Sequence, residues 1–89
     1  MIDVILVHNN PKQVELFKNS YNGEAFMFFL DRGSKKERSK AYKLQQEWGS
    51  IKTPFALVEK DGKIEKAFYA EDNDNVITNL ISYLNEHKY

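Results

Sequence analysis

Imidazole and amide groups stand side by side at His8-Asn9-Asn10, immediately before Pro11 and after a short apolar run. At the carboxyl end of a strand such a cluster could line a ligand site, because ligands of open α/β sheets bind there. The same residues also have a structural reading: Asn10 caps a helix and His8 ends a strand. Other chemistry is narrowly bounded. The chain has no cysteine, which excludes a disulfide scaffold, a thiolate metal site and a thiol nucleophile of its own. Its two histidines, His8 and His87, are far apart in the sequence and lack an evident third partner for a metal. Glycine-rich phosphate loops, a helical His-Glu-x-x-His and a nucleophile elbow are all missing, so no residue is assigned a catalytic role and no metal or cofactor is expected.

The elements that would position this cluster follow from periodicity. Val4-Ile5-Leu6-Val7 is a continuous β-branched run of the kind buried on both faces of a sheet. Pro11 then suits the first turn of a helix whose apolar stripe is Val14, Phe17 and Tyr21, stopped by Asn22-Gly23. Glu24 to Asp31 is too apolar and aromatic for an edge element and predicts a second buried strand, ended by Asp31-Arg32-Gly33. Ser34 with Glu37 forms a capping-box pattern for a helix over 35–48, with Ala41, Leu44, Gln45 and Trp48 inward and Gly49 closing it. Ile51 is expected to pack as the chain approaches Thr53-Pro54. From Phe55 a strand turns at Asp61-Gly62 into a more alternating strand, Lys63 to Tyr69, whose Lys63 and Lys66 suit an edge. Capping residues Asp72-Asn73-Asp74 precede a last helix with Val76, Ile77, Leu80, Ile81 and Leu84 buried.

Eighty-nine residues with 42% hydrophobic content suffice for one domain, 1–89, and not for two cores. Thirteen basic residues balance thirteen acidic ones, so no net field draws the chain to nucleic acid or anionic lipid. The run Lys35, Lys36, Arg38, Lys40 and Lys43 is interrupted by Glu37 and Glu47 and reads as a solvated surface, while Phe26, Phe28, Phe29, Trp48, Phe55 and Phe68 read as core. Without a basic, apolar leader or an apolar run of about 20 residues, a soluble cytoplasmic protein away from membranes is expected.

The order β-α-β-α-β-β-α, with Trp48-Gly49-Ser50-Ile51 leading into Thr53-Pro54 and with Asp61-Gly62 between two strands, resembles the thioredoxin and glutaredoxin superfamily over nearly the whole chain. The resemblance implies a three-layer sandwich with a mixed four-stranded sheet and a cis peptide bond at Pro54. It also implies a place for a Cys-x-x-Cys or Cys-x-x-Ser motif, which His8-Asn9-Asn10-Pro11 occupies here without sulfur. Thiol-disulfide chemistry, which needs a thiolate, is thereby excluded.

In proteins of that superfamily the backbone before the cis proline pairs with an extended peptide or with glutathione, so Thr53 and Pro54 become candidates beside His8, Asn9, Asn10 and Pro11. An acidic turn before the last helix holds the γ-glutamyl end of glutathione, and Glu71-Asp72-Asn73-Asp74 falls there, adding Asp72, although Tyr69-Ala70 replace the usual paired glycines and helix capping also accounts for the turn. The leading expectation is a redox-inactive binding or adaptor module with a protein or peptide partner in this groove. One alternative is a glutathione-dependent enzyme using the thiol of bound glutathione, polarised by Asn10 or Tyr21. Another is a structural subunit that associates through an edge strand or the Phe-rich sheet.

Overall fold

The computed structural model of the chain describes residues 2–21, 23, 25–29 and 33–86, without the side chains of Phe26 and Phe29. Its elements are β1 (Ile2–His8), α1 (Pro11–Ser20), β2 (Ala25–Phe29), α2 (Lys35–Trp48), β3 (Phe55–Lys60), β4 (Lys63–Tyr69) and α3 (Val76–Glu86). The sheet order is β2-β1-β3-β4, with β1 parallel to β2 and with β3 antiparallel to both β1 and β4. The fold is therefore α/β with a mixed four-stranded sheet, as the sequence predicts. Among the described residues no helix is long and apolar enough to cross a membrane.

Alternation along the strands divides the core in two. Val4 and Leu6 of β1 and Ala56 and Val58 of β3 point to one face, where they meet Val14 and Phe17 of α1 and Ile77 and Leu80 of α3. Val7, Phe55 and Leu57 point to the other face, against Ala41 of α2. Helices thus cover both faces, and β1 and β3 hold the centre. The β3–β4 hairpin turns through Asp61 (φ 51°) and Gly62 (φ 83°), a left-handed pair that matches strand twist. Ser34 Oγ accepts from the Glu37 N–H at 3.2 Å to start α2, and Gly49 ends it with φ 72°.

Three expectations are corrected. β2 is an edge strand, not an internal one. Its apolar composition answers to its faces rather than its position: Ala25 and Met27 pack against the α1/α3 core and Phe28 against the α2 core, and face burial does not require neighbours on both sides. Trp48 is 37% exposed rather than inward, and Ile51 is 86% exposed rather than packed. Trp48 is the last residue of α2 and Ile51 lies in the loop beyond its Gly49 cap, and neither belongs to the two buried clusters. Of the aromatics expected in the core, Phe55 is buried and Phe28 and Phe68 are half-buried, and the side chains of Phe26 and Phe29 lie outside the described ones. Asn22, Glu24, Leu30, Asp31, Arg32 and His87, invoked above as strand ends, a helix stop and a second imidazole, lie outside the described residues.

Candidate functional site

Register brings the candidate residues to one end of the sheet. Val7 pairs with Phe55 and Phe55 with Tyr69, so His8 and Pro54, the next residue along β1 and the one preceding β3, reach the same edge as the turn that follows β4. Asn9 and Asn10 leave β1 there, exposed, and Pro11 opens α1. The Asn10 carboxamide oxygen accepts from the Lys12 N–H at 3.0 Å, so this side chain is committed to capping. The Thr53–Pro54 peptide is cis and Pro54 is buried.

His8 is only 5% exposed. Burial lowers its pKa below 6.5, Glu37 pulls it upward and Lys18 lowers it further. A folded-state pKa below the unfolded value means that the unfolded chain binds more protons as pH falls. The stability that neutral His8 confers is complete above pH 6.5 and is lost as pH falls from there through the lowered folded value. Denaturant midpoints measured across this interval are expected to fall with pH, and to fall less steeply in His8→Gln. An equal slope in both proteins would remove His8 as the cause.

Thr53 is half-buried and, among the described residues, finds no hydrogen-bond partner for its amide, carbonyl or hydroxyl. The loop that delivers it is held on all sides. Buried Gln45 donates through Nε2 to Ser50 Oγ (3.4 Å) and to the Lys52 carbonyl (3.3 Å), and Ser50 Oγ donates to that carbonyl at 3.1 Å. Glu71 receives the Ile51 and Lys52 N–H groups, one on each carboxylate oxygen, at 3.2 and 3.0 Å. Tyr69 donates its hydroxyl to the Trp48 carbonyl at 2.7 Å. Partial desolvation pushes the Glu71 carboxyl up, but these two N–H groups and the Lys52 charge outweigh it and leave the pKa below the usual 4.5. The result is a fixed loop that ends at Thr53, whose backbone has no hydrogen-bond partner among the described residues.

The sequence placed Glu71 only in the acidic turn before the last helix; its hold on the 51–52 backbone was not legible, because those partners lie 19 and 20 residues earlier and no local pattern links them. Gln45 was detectable as a polar residue on an otherwise apolar stripe, although its hydrogen-bond partners were not. Asp72, by contrast, lines a separate recess with Lys66, Phe68, Asn73, Val76 and Asn79. Helix capping falls next to it: the Asn73 side chain accepts from the Asn75 N–H at 2.8 Å, just ahead of α3. Among the described residues no group of three acidic, histidine or cysteine side chains could hold a metal ion.

Compared with known protein families and with curated proteins, the sequence matches none.

Proposed function

We propose that this chain is a thioredoxin-like binding module that has no thiol chemistry and receives an extended peptide segment beside Thr53-Pro54. The observation that carries the proposal is the unpaired backbone of Thr53. Backbone N–H and C=O groups seek partners, and the Thr53 unit, without one among the described residues and at the end of a loop tied down by Gln45, Ser50 and Glu71, is available to pair with another backbone. Rigidity matters here because a loop that is already ordered loses little entropy when a partner arrives. At the same end of the sheet His8 and Pro54 are buried and Asn9 is exposed, where it could add an amide contact to a bound segment. Such a module acts as an adaptor that holds a peptide without altering it.

The test is an amide-resonance titration of the labelled protein with a pooled library of unstructured peptides. Saturable shifts are expected at Thr53, Phe55, Asn9 and Asn10. If those four stay still while the library is raised to millimolar concentration, the groove is not a binding site.

A further inference from the structure

The two edges of the sheet are built differently. β4 carries Lys63, Glu65 and Lys66, and the β3–β4 pairing is broken by a register shift between Val58 and Glu59. Charges and irregularities of this kind discourage a further strand from adding. β2 has none of them: Ala25-Phe26-Met27-Phe28-Phe29 is uncharged and pairs with β1 in unbroken register. No other described strand flanks it, so alternate residues turn their N–H and C=O groups away from the sheet.

Beside this edge runs a groove between β2 and α2. One part, a cavity of about 200 Å³, is lined by Met27, Phe28, Lys36 and Lys40, and the next, of about 260 Å³, by Phe28, Leu44, Lys40 and Lys43. Phe28 and Leu44 give it an apolar section. Above it Lys36, Lys40 and Lys43 recur at helical spacing on one side of α2, and Glu37 and Glu47 also line the groove, three ammonium groups against two carboxylates.

We propose that the β2 edge is a second docking site, independent of the Thr53 groove, which takes an extended acidic segment of a partner protein as a fifth strand. Main-chain hydrogen bonds to β2 would hold it, an apolar side chain would rest on Phe28 and Leu44, and acidic side chains would meet Lys36, Lys40 and Lys43. The lysine row argues against a second copy of this chain as the occupant. Two β2 strands paired about a two-fold axis would set the α2 helices side by side on the same face, bringing like charges together.

The experiment uses two unstructured peptides of equal length, one alternating glutamate with valine and the other lysine with valine. The glutamate peptide is expected to shift the amides of residues 25–29 saturably and to slow their hydrogen exchange, leaving Thr53 and Asn10 unmoved. Reversing the row with Lys36→Glu, Lys40→Glu and Lys43→Glu should weaken that peptide about tenfold or more and strengthen the lysine peptide, since several exposed pairs of modest strength are exchanged together. The milder Lys40→Gln should give a smaller loss in the same direction, on a surface position that does not bear on folding. The proposal is overturned if residues 25–29 do not respond to the glutamate peptide at millimolar concentration, or if the two peptides bind equally well. It is also overturned if sedimentation shows a dimer with β2 amides already protected. Because the Thr53 titration reads different resonances, either site can fail alone.

Discussion

Phe55→Ala is expected to lower the free energy of unfolding by about 3–5 kcal/mol, read as a lower denaturant midpoint at unchanged slope. Phe55 is 1% exposed, opens β3, pairs with Val7 on one side and Tyr69 on the other, and joins Val7, Ala41 and Leu57 in the α2-side core. Its ring lies 5.2 Å from that of Tyr69, tilted by 41°, so truncation removes an aromatic contact as well as leaving a cavity. A domain with a total stability of about 5–15 kcal/mol has little to spare after such a loss. Ile51→Ala gives the contrast. Ile51 is 86% exposed, and its truncation should change stability by no more than about 0.5 kcal/mol. Comparable losses for the two variants would mean that the loop packs differently from the description above.

Gln45→Leu is expected to cost about 1–3 kcal/mol even though the side chain keeps nearly the same size. The apolar stripe of α2 would accept leucine on packing grounds alone. The loss arises because Ser50 Oγ and the Lys52 carbonyl, both served by Gln45 Nε2, would face a methyl group instead of a donor. The Ser50–Lys52 bond at 3.1 Å remains and keeps the cost below that of a fully orphaned carbonyl. Because Lys52 immediately precedes Thr53, the same change should broaden or shift the Thr53 amide resonance and weaken any peptide bound there. Unfolding measurements would give the stability loss and the amide spectrum would give the local effect. A stabilised variant with an unmoved Thr53 amide would show that the network does not hold the loop.

Much of this was legible in the residues. Ser34 and Gly49 bracket α2, Asn10-Pro11 opens α1, and Asp61-Gly62 marks the hairpin, because capping and positive φ are demands that neighbouring residues meet locally. Strand β2 shows where local reading stopped. Its run of aromatics indicates that its faces are covered, yet pattern along one strand carries no information about which strands lie beside it. Trp48 and Ile51 failed for a related reason, since residue type and helical spacing suggest an inward side chain at the end of α2 or just after it without saying what tertiary neighbour would cover it.

The sequence alone determined the α/β class, the caps and turns, and the absence of a cysteine thiol, each of which depends on residue type or on contacts a few positions apart. The tertiary structure decided that β1 and β3 are central and β2 is an edge. It also decided that Glu71 reaches back to the Ile51 and Lys52 N–H groups and that the Thr53 backbone has no partner among the described residues. These depend on groups that meet only when the chain closes on itself, where long-range geometry rather than local preference chooses the partner.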